Sequence, residues 1–362
     1  MNDTQPCDVF ISYSTQSGHE DAKHLENAFR RKGLRAYAYE HSLVPGYRWE
    51  EPVLRQLRYC RCVLVLVPPG RKKGLTDYQN HEIGIAHAMG KAIIPIALGS
   101  DFSSSAQMSA LCSSYWGWPL GRFRRKLDSF ISEQGIASAA KLTTVWSPYL
   151  VSGSARIVVG GYDPTAQNEQ SRAGDYFSIG TFRAVTRLSC FFSQQFGADF
   201  LDELLIAQKT GHEELSRHEL IVIGGPKSLH ESSLKDCHKN LGVHYDDAQR
   251  AYFVGPQRCR VASEEVDGVT KQACVLGFAP NPMNLHKEML LVSGDSGYGC
   301  QGAIEYLVDI RSDLGLVAAE VTQWRKEPRN APLFFEVSTE FERQSNTYRV
   351  GSGVARLIDC TG

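Results

Sequence analysis

Cys62 to Pro68 (CVLVLVP) constrains this chain more than any other stretch, because it has no polar face. A strand that is apolar on both sides has to be covered on both sides, the environment of an inner strand in a parallel sheet. Ala92 to Leu98 (AIIPIAL) is a second run of this kind, and Cys7 to Ser14 (CDVFISYS) is a third that ends on Tyr-Ser. Leu34 to Glu40 (LRAYAYE) reads as a further strand, entering His41 to Tyr47 (HSLVPGY), where Pro45-Gly46 marks a turn. Helical spacing predicts helices over 20–31 and 49–59, and a short one over 81–88 carrying Ile83, Ile85 and Ala86 and stopped by Gly90. Strands and helices that alternate over short connections define an open, doubly wound α/β sheet.

The chain has 362 residues, which suits two domains, each large enough for its own core. A formal net charge of −1 argues against a general polyanion binder. The densest basic run, Arg122 to Lys126 (RFRRK), is expected to solvate a helix. No apolar run approaches a membrane span, and the first residues (MNDTQPCDVF) lack a basic start and an apolar signal core, so a cytoplasmic protein is expected. The ten cysteines are scattered with no Cys-x-x-Cys pair, and read as reduced core residues with no metal site. A Ser-rich loop over 102–108 and a helix over 119–134 close the first domain, taken as residues 1–137. Small residues over 138–153 read as a linker, and the second domain as 154–362.

That second half repeats a strand, a glycine turn and a helix three times. Arg156 to Gly161 (RIVVGG) precedes a helix over 179–196, Glu219 to Gly225 (ELIVIGG) runs into Pro226-Lys227-Ser228 and a predicted helix, and Met289 to Gly302 (MLLVSGDSGYGCQG) precedes a helix over 303–308. The pattern implies a Rossmann-like sheet. Glycine turns at helix starts let backbone N–H groups approach an anion, so phosphate or a nucleotide is the natural ligand. Gly224, Gly225, Lys227, Ser228, Gly294, Ser296, Gly297 and Tyr298 are the candidate contacts. The alternative is that the glycines only make tight turns for packing. Gly294-Asp295-Ser296-Gly297 also surrounds the nucleophile of trypsin-like enzymes, but a buried strand before it and a helix after it are the wrong context. No spacing supports a Cys300 pair with His230 or His238. The run 277–284 (GFAPNPMN) reads as a turn between strands, and 333–340 with 348–359 as an antiparallel pair.

In the first half, FISYS, then EHSLVPG, then CVLVLVPP followed by DYQNHE, then AIIPIAL, resemble in order the landmarks of a TIR domain over about residues 7–135. Tyr78 stands where the family often has Trp, and Glu40-His41 where it often has Arg-Asp. The resemblance implies a flavodoxin-like parallel sheet and makes Glu82 the family's functional glutamate; without it, Glu82 reads as a first-turn helix acid. In TIR domains that consume NAD, breaking the nicotinamide glycosidic bond develops an oxocarbenium-like centre, which a nearby carboxylate stabilises. NAD is then substrate, with no separate cofactor. Tyr13, Ser14, Tyr78, Glu40 and Trp49 are the residues the match places around it.

A TIR domain followed by a Rossmann-like half is similar to bacterial antiphage effectors of the CBASS, Thoeris and CRISPR type. There a nucleotide-messenger sensor controls an NAD-consuming TIR domain. The resemblance implies self-association through TIR domains, a cyclic oligonucleotide or cyclic ADP-ribose-type ligand, and neither a nucleic acid polymer nor a membrane as partner. Two alternatives stay open: a non-enzymatic TIR adaptor, and a C-terminal half that is itself an enzyme acting on nucleosides.

Overall fold

The computed structural model describes residues 6–38, 50–68, 75–98, 118–151, 155–161, 178–196, 204–229, 232–266, 269–309, 311–327, 331–344 and 347–358. Glu40, Trp49, the Pro45-Gly46 turn, the Ser-rich stretch 102–108 and His230 lie outside these residues. The chain divides into two compact units, Met1–Thr143 and Thr144–Gly362.

In the first unit the apolar runs become β1 (Val9–Ser12), β3 (Cys62–Val67) and β4 (Ala92–Ala97), joined by β2 (Ala36–Ala38) and β5 (Trp118–Pro119). They form a sheet of order β2-β1-β3-β4-β5 in which every pairing is parallel. Strand alternation then sorts the side chains into two layers. Val9, Ile11 and Tyr13 face a core containing Ala22, Leu25 and Phe29 of α1 (His19–Arg31). Phe10 faces the opposite core, with Val53 and Leu57 of α2 (Glu50–Tyr59) and Ile83 and Ala86 of α3 (Asp77–Ala88).

The helix predicted over 119–134 is two helices, α4 (Leu120–Arg125) and α5 (Leu127–Glu133). Lys126 leaves helical geometry between them (φ −107°, ψ 16°), and Phe123 meets Phe130 edge-on with centroids 4.9 Å apart. Arg122, Arg124 and Arg125 are exposed around a buried Phe123, so the basic run does solvate a helix.

The stretch read as a linker is instead helical: α6 spans Ile136–Val151, and the division between the units falls within it. Trp146 and Tyr149 are fully buried, each contributing about 3 kcal/mol, and together they outweigh the roughly 3 kcal/mol cost of Pro148 inside the helix. Arg325 holds the helix end by donating to the carbonyl oxygens of Thr144 and Val145, and to both carboxylate oxygens of the buried Glu288.

The second unit is a mixed sheet. Its strands are β6 (Arg156–Val159), β7 (Leu204–Ile206), β8 (Leu220–Ile223), β12 (Glu264–Val266), β13 (Val269–Asn281), β14 (Asn284–Gly294), β15 (Leu333–Gln344) and β16 (Thr347–Ile358). The order is β16-β15-β13-β14-β8-β6-β7, with β12 beside β13. β14, β8, β6 and β7 pair in parallel, whereas β13, β15 and β16 are antiparallel. The Rossmann-like pattern holds for the parallel strands β14, β8, β6 and β7, and an antiparallel half extends the sheet: β14 is entered from β13 through the two-residue turn Pro282-Met283, which needs no crossover helix. For the same reason most of 277–284 belongs to β13 and not to a loop, Gly277–Pro280 pairing with Leu291–Glu288.

Among the described residues, no long helix follows Ser228. Turns and two short helices, α8 (His212–Ser216) before β8 and α9 (Cys237–Asn240) after it, lead into a three-stranded antiparallel sheet of β9 (Val243–Asp246), β10 (Ala251–Val254) and β11 (Cys259–Ala262). The helices α7 (Ile179–Phe196), α10 (Gly297–Val308) and α11 (Gly315–Lys326) complete the unit. The predicted antiparallel pair near the end of the chain is β15 and β16.

Candidate functional site

Glu82 is placed by a capping box. The Thr76 hydroxyl accepts from the Gln79 N–H at 3.2 Å, and the side-chain Oε1 of Gln79 accepts from the Thr76 N–H at 3.2 Å, so α3 starts at Asp77. Gln79 Nε2 also donates to the Leu66 carbonyl at 3.0 Å, tying the helix start to β3. Glu82 is therefore the sixth helical residue, beyond the first turn that a plain helix acid would occupy. With Gln79, Ile83 and Ala86 it forms the buried stripe of α3, and it is 1% exposed.

Burial raises the Glu82 carboxyl to about 7, with the Ser12 hydroxyl beside it pulling the other way. Ser12 is the last residue of β1, on the face opposite Tyr13, and its neighbour across the sheet is Val65 of β3. In the order β2-β1-β3-β4 the connections reverse direction between β1 and β3, and open α/β sheets bind ligands outside the carboxyl ends of their strands at such a point. Tyr78 lies one turn before Glu82 on the same side of α3. Ser14 is buried, and its carbonyl closes the turn into α1 by accepting the N–H groups of Ser17 and Gly18. Tyr13 is brought elsewhere: it is a core residue on the α1 face, with its hydroxyl 3.4 Å from His19 Nδ1. Ser12 is not among the residues the family resemblance points to, although period-two alternation from Phe10 puts it on the α3 face.

The second unit repeats this topology, because the order β7-β6-β8-β14 reverses between β6 and β8. A cavity of about 200 Å³ lies at the carboxyl ends of these strands. The three glycine turns meet there: Gly224, Gly225, Lys227, Ser228, Gly294, Ser296 and Gly297 all line it, together with Gly160. Tyr298 does not line it, and its ring packs edge-on against Phe341. The turns approach closely. A Cβ on Gly160 would stand 2.1 Å from the Ser228 carbonyl oxygen, and one on Gly297 would stand 1.8 Å from Ser178 Oγ. These glycines thus let turns pack on one another, and the polar groups around the cavity come from their neighbours.

Ser178 and Ser296 cap the two helices whose ends border the cavity, accepting from Thr181 N at 3.1 Å and Gly299 N at 3.3 Å. Lys227 is ion-paired with Asp247 at 2.7 Å. Tyr245, Tyr252, Asp295 and Cys300 complete the wall, and only tertiary structure brings the two tyrosines to it. Beneath them runs a buried hydrogen-bond chain. His238 Nε2 meets Ser293 Oγ at 2.8 Å, Ser293 donates to Tyr252 Oη at 2.9 Å, and Tyr252 donates to the Gly294 carbonyl at 2.8 Å. Burial lowers His238 to about 4, so the neutral ring donates from Nε2 and the chain runs one way. His238 also lies 3.5 Å from Cys237, and its bonds go to Cys237 and Ser293. Burial raises the Asp295 carboxyl, against the Ser263 hydroxyl and the Arg250 charge. Asp295 Oδ1 is buried and accepts no hydrogen bond among the described residues.

Residues 9–117 match the TIR domain family, and the chain carries a TIR domain there. Among solved structures, the TIR domain of the Toll-related receptor TRR-2 from Hydra magnipapillata is similar at 17% identity, covering 35% of this chain and 98% of its own, with a TM-score of 0.29. The CMP N-glycosidase BcmB of Clostridium botulinum is similar at 17% identity, covering 34% of this chain and 98% of its own, with a TM-score of 0.27. No curated protein matches the chain. No helix among the described residues is long and apolar enough to cross a membrane.

Proposed function

We propose that the TIR domain is an NAD glycohydrolase with Glu82 as its catalytic carboxylate, gated by a nucleotide second messenger bound in the cavity of the second unit. The observation that carries this reading is a carboxylate buried within the apolar stripe of α3, beside the Ser12 hydroxyl at the switch point of the sheet. The bond from ribose C1′ to the nicotinamide nitrogen breaks with its electron pair on nicotinamide, which neutralises the pyridinium charge and needs no strong acid. Ionised Glu82 stabilises the positive charge developing on the ribose. Water then adds at C1′ and releases a proton, giving ADP-ribose and nicotinamide.

The cavity where three strand ends meet supports a ligand site in the second unit, and messenger binding there would favour an assembled, active state through TIR self-association. Such gating fits a role in antiphage defence, because an enzyme that depletes NAD has to be silent in a healthy cell. The test is NAD turnover by the full chain, wild type beside Glu82→Ala, with and without cyclic oligonucleotides and cyclic ADP-ribose isomers. Turnover that requires one ligand and disappears in the variant supports the reading. Ligand-driven assembly without turnover moves the TIR domain to the adaptor class.

A further inference from the structure

We infer that the cavity of the second unit takes a ribonucleotide moiety, and that Asp295 selects it by accepting a hydrogen bond from a ribose hydroxyl; this rests on the cavity being the ligand site of the proposed function. The chemistry around the cavity argues against a bare anion. An inorganic phosphate would meet helix N-termini and Lys227, which favour it, and also the Asp295 carboxylate, which repels it. A ligand that satisfies both sides carries an anionic group and, a few ångströms away, hydroxyl donors.

Asp295 supplies the reason those donors are needed. Asp295 lines the cavity, and the Ser263 hydroxyl and the Ser296 N–H favour its charged form. A carboxylate on the cavity wall, partly withdrawn from water, repels an anion and gains when a ligand hydroxyl donates to it. An acidic residue reading ribose hydroxyls at a strand end is a general solution in open α/β sheets. Tyr245, tilted by 52° against Tyr252 with centroids 4.8 Å apart, adds an aromatic wall beside Asp295. At about 200 Å³ the cavity falls below the roughly 300 Å³ at which drug-sized sites begin, so it holds one nucleotide unit of a larger messenger.

The experiment measures binding to the full chain by calorimetry with AMP, 2′-deoxy-AMP, 2′,3′-dideoxy-AMP and inorganic phosphate, for wild type and Asp295→Asn. For wild type the expected result is that dideoxy-AMP binds about tenfold to a hundredfold more weakly than AMP, and that phosphate does not compete with AMP. In Asp295→Asn, checked for an unchanged melting temperature, the AMP preference falls to within about threefold, because a neutral amide oxygen is the weaker acceptor. Dideoxy-AMP binding wild type as tightly as AMP, or phosphate displacing AMP at equal concentration, overturns the ribose assignment and leaves the cavity an anion site. If none of the four binds, the ribonucleotide assignment of the cavity is overturned, while NAD turnover that a cyclic messenger still drives leaves the gating of the proposed function standing.

Discussion

The chemistry proposed for the first unit rests on Glu82. A carboxyl that ionises near 7 is half charged at neutral pH, and the proposed chemistry uses the charged form. NAD turnover is therefore expected to rise with pH through a single ionisation near 7 and to level above 8, measured as kcat/KM under saturating activator. A profile flat from pH 5.5 to 8.5 would remove Glu82 from the role. The same shift bears on stability with a definite sign. The folded carboxyl titrates at about 7 against an ordinary 4.5, so its contribution is complete below 4.5 and is lost as pH rises through 7. Glu82→Gln, which cannot ionise, should match wild type at pH 4.5 and exceed it at pH 8.5 by on the order of 2–3 kcal/mol, read from urea melts. Its position in the stripe Gln79, Glu82, Ile83, Ala86 is legible in the sequence as helical spacing. The helix starts at Asp77, ahead of the apolar spacing that marks it in the sequence, because the Thr76–Gln79 capping box closes its first turn.

At the scale of elements, the glycine turns of the second unit act by letting β6, β8 and β14 end against one another. Gly160→Ala forces a methyl onto the Ser228 carbonyl, which is backbone and cannot step aside. It is expected to cost about 1–3 kcal/mol and to abolish nucleotide binding, checked by denaturant melts and calorimetry. Gly84→Ala on α3 is the control: a Cβ there meets nothing within 4 Å, and removing a helical glycine should stabilise the chain by about 0.5–1 kcal/mol. The strand and glycine pattern is legible in the sequence, and the structure gathers the three turns around one cavity. The missing helix after Ser228 was not readable, because a hairpin entry into β14 and a crossover entry leave the same apolar run.

For the whole molecule, two compact units each with its own core predict two unfolding transitions in a calorimetric scan. AMP at a hundred times its dissociation constant should raise one of them, worth about 2.7 kcal/mol to the unit that binds it, and leave the other in place. Glu82→Gln at pH 8.5 should move the other. A single transition that both perturbations shift together would show that the units do not unfold separately.

What the sequence by itself determined is the class of the first unit, because strands apolar on both faces require a sheet covered on both sides, helices alternate with them over short connections, and the order of the landmarks resembles one family. It also determined where β6, β8 and β14 end, through the glycines that follow or close them. Only the tertiary structure decided that residues 138–151 are helix, that Ser12 rather than Tyr13 stands by Glu82, and that Asp295, Tyr245 and Tyr252 share a wall. Local patterns report how one element meets solvent or core. Which side chains meet across elements depends on sheet order and on the hairpin or crossover that joins the strands, and residues more than forty apart such as Tyr252 and Gly294 carry no mark of each other in the chain.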